Sequence, residues 1–97
     1  MRNAYLIAYD VADPKRLRRT YQKMLGFGDP LQYSVFYCEL SAMEKQLLQE
    51  ALWEILHPQE DRLMIVHLGP PRSAPARRVE FWGKPPIGPS TREPLVV

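Results

Sequence analysis

Cysteine occurs once in the 97 residues, at position 38. One thiol excludes an intramolecular disulfide and a Cys-rich zinc site. Histidine is nearly as scarce. His57 and His67 read as a helix end and a strand residue rather than as metal ligands, and Cys38 reads as buried filler. No apolar run approaches the ~18–20 residues of a membrane helix, because Asp, Gln, Arg or Glu interrupts each one. There is no glycine-rich phosphate loop and no serine in a nucleophile elbow. Met1-Arg2-Asn3-Ala4 leads straight into a strand-like run without a cleavable signal pattern. These absences point to a reducing, cytoplasmic setting with no membrane partner. With 45% hydrophobic and 25% charged residues, wholesale disorder is excluded, and the length suits one compact domain.

What is present is segregated charge. Residues 1–28 carry +4, residues 29–61 carry −6 and residues 62–97 carry +4, behind a net charge of +2. Such segregation can set a basic face opposite an acidic one, and a basic face attracts phosphate polymers.

Tyr5-Leu6-Ile7-Ala8-Tyr9-Asp10-Val11 reads as a largely buried strand ending in a carboxylate. Asp13-Pro14 then supplies an N-cap and a proline at the first helical position. In the helix that follows, Leu17, Tyr21, Met24 and Leu25 form the apolar stripe. Lys15, Arg16, Arg18, Arg19 and Lys23 take the remaining surface, and Gly26 and Gly28 supply a left-handed stop. Residues 31–40 read as strand, either one bent strand or two short ones. Ser41-Ala42-Met43-Glu44 fits a capping box, after which Met43, Leu47, Leu48, Ala51, Leu52, Ile55 and Leu56 recur at helical spacing until His57-Pro58. Residues 62–68 form the next strand, 69–76 a loop, and 79–83 a final strand. This order implies an α+β two-layer sandwich, helices on one face of a small sheet, the second face bare and suited to dimerisation.

Asp10 is the first candidate for chemistry. Strand-terminal aspartates commonly form turns, but this one precedes a helix loaded with arginines. A carboxylate can hold Mg²⁺ or Mn²⁺ while cations grip a phosphodiester. Arg16 and Arg19 share a face, as do Lys15 and Arg18. Five cations in nine positions without an intervening acid favour a polyanion over a merely solvated helix face. Asp13 reads as a cap alone.

Taken together, Tyr5 through Val11, Asp13-Pro14-Lys15-Arg16 through Arg19, Gln32-Tyr33-Ser34-Val35-Phe36 and Glu39-Leu40-Ser41 resemble the CRISPR-associated protein Two family, the smaller core protein of spacer acquisition. The resemblance covers residues 1–68 well and extends loosely to 83. It implies a ferredoxin-like domain over residues 1–83; the tail, 84–97, departs from the family in its proline richness, and family C-terminal segments dock on a partner subunit, either the other protomer or the integrase. It implies a symmetric homodimer in which two Asp10 carboxylates share one divalent metal. Tyr9, Asp10, Arg16, Arg19, Ser34 and Phe36 match family positions associated with the active site. The family implies metal-dependent cleavage of single-stranded RNA or double-stranded DNA, and a bridge between dimers of a CRISPR-associated integrase holding duplex DNA. Many relatives carry a basic residue shortly before the Gln-x-Ser-Val-Phe run, where this chain has Pro30-Leu31. The departure bears on nuclease activity more than on DNA binding. Two other readings stay open: an architectural scaffold without catalysis, and a toxin-type ribonuclease on the same fold.

Overall fold

The computed structural model describes residues 1–71 and 80–87. Strand β1 (Arg2–Asp10) leads to helix α1 (Pro14–Met24), strands β2 (Gly28–Gln32) and β3 (Val35–Ser41), helix α2 (Ala42–Trp53) and strand β4 (Arg62–Gly69). The four strands form one antiparallel sheet in the order β2-β3-β1-β4. This β-α-β-β-α-β order is the ferredoxin-like arrangement. Among the described residues, no helix is long and apolar enough to cross a membrane.

Local chemistry explains the element boundaries. Asp13 Oδ2 accepts from the Arg16 N–H at 2.9 Å, satisfying one orphan donor of α1, and Pro14 follows where no donor is required. At α2 the capping box closes in both directions: the Ser41 N–H donates to Glu44 Oε1 at 2.8 Å, and the Glu44 N–H donates to Ser41 Oγ at 3.1 Å. Arg2, opposite Ser41 in the β1/β3 register, adds two bonds to the same carboxylate at 2.8 and 2.9 Å. The Ser41 amide and Arg2 together hold the Glu44 carboxyl below its ordinary range.

The main core lies between sheet and helices. Tyr5, Ile7 and Tyr9 of β1 and Phe36, Cys38 and Leu40 of β3 alternate inward to meet Met24 of α1 and Leu48 and Leu52 of α2. Burial pushes the Cys38 thiol up to about 12, which leaves it inert.

Of the two alternatives for the stretch between the helices, the structure has two short strands, separated by the turn at Tyr33-Ser34. Several other expectations need correction. The buried positions of α1 are Thr20 and Met24, whereas Leu17 and Leu25 are exposed, as are Met43 and Leu47 on α2. Helix α2 ends at Trp53, before His57-Pro58. No left-handed glycine stops α1. Its C-cap is Leu25 in right-handed geometry, and tightened bonds from Gly26 and Phe27 back to the Lys23 and Met24 carbonyls close the turn. Gly28 serves a different purpose, since a Cβ there would strike the Tyr37 carbonyl oxygen and Cys38 Sγ.

Within the expected final strand, residues 80–83 are not strand, and Val79 lies outside the described residues. Nor is the second sheet face bare. Ala4, Leu31, Tyr37 and Leu68 form a smaller cluster there, against which Phe81 packs, and the Ile87 N–H donates to the Leu31 carbonyl at 3.2 Å. What stays open is the β4 side of the sheet, with Met64, Ile65 and Val66 exposed.

Candidate metal and nucleic-acid site

Four chain segments meet at one end of the sheet: the end of β1, the loop into α1, the β2–β3 turn and the start of β4. Antiparallel pairing dictates the meeting, because the last residue of β1, Asp10, stands opposite the first of β4, Arg62. The Asp10 carboxylate is 77% exposed and lies 3.8 Å from Arg62 Nε, whose side chain is 84% exposed. A carboxylate buried at the end of an apolar strand would bear a desolvation cost. The exposure of Asp10 removes that cost and leaves it accessible to a ligand.

Tyr9 fixes the strand end on which Asp10 sits. Its N–H donates to the Ser34 carbonyl at 3.0 Å and its buried hydroxyl donates to the Tyr33 carbonyl at 2.6 Å. Burial, assisted by Tyr21, pushes the phenol up to about 12, so Tyr9 is a neutral hydrogen-bond donor and not a proton shuttle. Ser34 takes part through its backbone carbonyl, in the turn. Phe36 is wholly buried, with its ring 6.3 Å from Tyr9 and 5.4 Å from Tyr21, so it supports the site by packing beneath Tyr9.

Arg16 was expected to face phosphate beside Arg19. Instead its Nε donates to Asp61 Oδ2 at 2.8 Å, and its Nη2 reaches Asp61 Oδ1 at 3.2 Å and Glu60 Oε1 at 3.0 Å. The Asp61 side chain is fully buried and also accepts from the Ala12 and His57 amides at 2.9 and 2.7 Å. The Arg16 guanidinium, with these two amides, holds the Asp61 carboxyl well below the usual carboxylate range. Hydrogen bonding to Asp61 in turn raises the Arg16 pKa beyond any accessible pH. Arg16 is therefore charge-balanced within the chain and ties the loop after Asp10 to the loop before β4. Asp61, Glu60 and Arg62 escaped the sequence reading. Their signal is an acid-acid-base triplet that runs into the first residue of a strand, and it becomes informative only once that strand is paired with β1.

Lys15, Arg18, Arg19 and Lys23 are exposed and make no ion pair among the described residues. Arg18, Arg19 and Lys23 border a trough of about 650 Å³ between α1 and the end of α2, where Glu54 is the one acid. The described residues contain no cluster of three or more His, Cys, Asp or Glu side chains able to hold a metal. Of the exposed carboxylates at this end of the sheet, Glu60 is held by Arg16, and Asp10 faces only Arg62, at 3.8 Å. Mg²⁺ keeps several waters and often takes only one or two protein carboxylates. Asp10 can supply one such carboxylate, with Arg62 as a competing cation.

The family model described as CRISPR associated protein Cas2 matches residues 3–73 of this chain. The chain is 36% identical over 83 residues to the CRISPR-associated endoribonuclease Cas2 3 of Synechocystis sp., covering 86% of this chain and 87% of that protein. It is 39% identical over 70 residues to the CRISPR-associated endoribonuclease Cas2 of Geobacter sulfurreducens, covering 72% and 74% respectively. Among solved structures it is similar to Streptococcus pyogenes Cas2 at pH 6.5, with a TM-score of 0.74 and 30% identity over 82% of this chain and 99% of that one. A hypothetical protein from Thermus thermophilus superposes with a TM-score of 0.76 at 25% identity, over 92% of this chain and all of that one.

Proposed function

The chain belongs to the CRISPR associated protein Cas2 family, and from that membership we propose that it is a homodimeric spacer-acquisition protein that binds nucleic acid and cleaves phosphodiesters at a divalent metal held by Asp10. One observation carries the reading: the accessible Asp10 carboxylate, on a strand end pinned by Tyr9, beside a helix with four exposed unpaired cations. The relatives' names as endoribonucleases support the hydrolytic part. The apolar β4 edge, with Met64, Ile65 and Val66 exposed, supports self-association, since an uncovered apolar edge strand invites pairing.

In this reading Asp10 from each of two protomers holds Mg²⁺ or Mn²⁺. When bound, the ion supplies an activated water and neutralises charge on the scissile phosphate. Tyr9 keeps the carboxylate on a fixed strand end. Lys15, Arg18 and Arg19 hold the backbone of duplex DNA or single-stranded RNA, while Arg16 positions the intervening loop. The dimer also bridges the partner integrase; of the tail expected to dock on a partner subunit, Ile87 is bonded to this chain's own Leu31, and residues 88–97 lie outside the described residues.

Asp10→Ala tests the catalytic part. Cleavage of RNA and of duplex DNA in Mg²⁺ or Mn²⁺ is expected to fall at least 100-fold, roughly the loss of one transition-state charge contact, with DNA binding intact. Cleavage that persists in the repurified variant overturns it. A second reading, a scaffold whose catalysis belongs to the integrase, is favoured by the lack, among the described residues, of any cluster of three or more metal-ligating side chains and by Arg62 beside Asp10. It predicts that wild type and Asp10→Ala are equally inert while both support integration.

A further inference from the structure

Tyr33 and Trp82 are the most exposed aromatic rings among the described residues, at 72% and 88%, and both line one cleft of about 370 Å³. Neither is loosely held. The Tyr33 carbonyl accepts the Tyr9 hydroxyl at 2.6 Å, and its ring lies 5.8 Å from Tyr21 in a tilted arrangement. Trp82 follows Phe81, which packs into the second cluster, and its indole N–H donates to Glu80 at 3.1 Å. The Ile87 N–H bond to Leu31 fastens the far end of the segment against β2. The Tyr33 ring thus rests against Tyr21, and the Trp82 ring, bonded to Glu80 and following the packed Phe81, stands exposed.

Among the described residues, the other polar groups of the cleft are few. Gln32 contributes an amide, Lys84 an ammonium, and Glu80 a carboxylate that offsets it. A cleft with aromatic faces, an amide and no net charge suits a flat, neutral heterocycle with hydrogen-bonding edges better than it suits a phosphate. Its place in the fold supplies the connection to Asp10. Tyr9, the residue before Asp10, is bonded to both residues of the β2–β3 turn, and only β3 separates β1 from β2. Two strand spacings are about 10 Å, a span of one to a few nucleotides.

We propose that the Tyr33–Trp82 cleft receives an unpaired nucleobase of the strand whose backbone runs to Asp10. Duplex bases are already stacked on their neighbours, so the cleft selects single-stranded or frayed nucleic acid. The proposal rests on the nucleic-acid reading above but not on Asp10 being catalytic.

The test is a titration, without divalent ions, of a ten-nucleotide single-stranded RNA carrying 2-aminopurine and of the blunt duplex of the same sequence. Wild type is expected to quench the single-strand probe. Tyr33→Ala and Trp82→Ala are each expected to weaken single-strand binding roughly five- to 150-fold, the range for loss of one base–aromatic stack. Tyr33→Phe, which keeps the ring, stays within about twofold, and all variants bind the duplex as wild type does. Equal weakening on both probes, or none on either, overturns the proposal. So does a fall in sedimentation mass of Tyr33→Ala or Trp82→Ala, which would assign the rings to contact with a second copy. The titration contains no divalent ion, so a failure of the hydrolytic reading registers only in cleavage.

Discussion

Asp61 accepts hydrogen bonds from the loop after β1, from the first turn of α1 and from its own loop, and it does so without solvent access. A carboxyl so held is more acidic folded than unfolded, so its contribution to stability is fully present above the unfolded pKa, about 4. It is lost progressively as pH falls below about 5 towards the folded value. Thermal midpoints of wild type are expected to drop steeply below pH 5, while Asp61→Asn gives a flatter acid limb. At pH 7 the variant should melt lower by roughly 5–10 °C, the scale for one to two kcal/mol in a domain this size. Calorimetry across pH 3–7 checks both, and parallel acid limbs would show that Asp61 is not the titrating group. Individual residues were unevenly legible. Asp10 and Asp13 stood out because each adjoins a clear boundary signal. Asp61 did not, because its partners are 45 and 49 positions away and only the β1/β4 register brings them near.

At the scale of elements, chemistry confined to one turn was readable. The Asp13 cap and the Ser41/Glu44 box needed nothing beyond four consecutive residues. Termination was not, since Gly26 looks like a left-handed stop until the Leu25 cap and its bonds are seen. The glycine that matters is Gly28, where β2 enters the sheet against β3 with no room for a side chain. Gly28→Ala is expected to destabilise the protein by about 1–3 kcal/mol, the usual cost of forcing a methyl group into a closed contact. Gly26→Ala, whose nearest neighbour at 3.5 Å is an ordinary contact, should be nearly neutral. Paired urea denaturation curves separate the two, and equal midpoints would refute the asymmetry. The expected strand at 79–83 shows the opposite limit: Phe81 and Trp82 have strand-like chemistry, yet Phe81 packs on the second cluster while Trp82 faces out.

For the molecule as a whole, the division of labour among cations has a measurable signature. Log affinity for duplex DNA should fall linearly with log salt, by about 0.9 per phosphate neutralised. Arg19→Ala is expected to reduce that slope by about one per protomer engaged. Arg16→Gln should leave it unchanged, because Arg16 already answers Asp61 and Glu60. Equal slope changes would return Arg16 to the phosphate. The two-layer architecture was legible from alternation and helical spacing, whereas this division was not, since both arginines look alike in sequence. The Arg16–Asp61 tie also bears on biosynthesis. Strand β1 acquires its second neighbour, and the loop after it its fastening, only once some fifty more residues have been made. A nascent chain halted before position 60 can therefore already hold Tyr9 to the Tyr33 and Ser34 carbonyls, but it carries the loop after Asp10 untied.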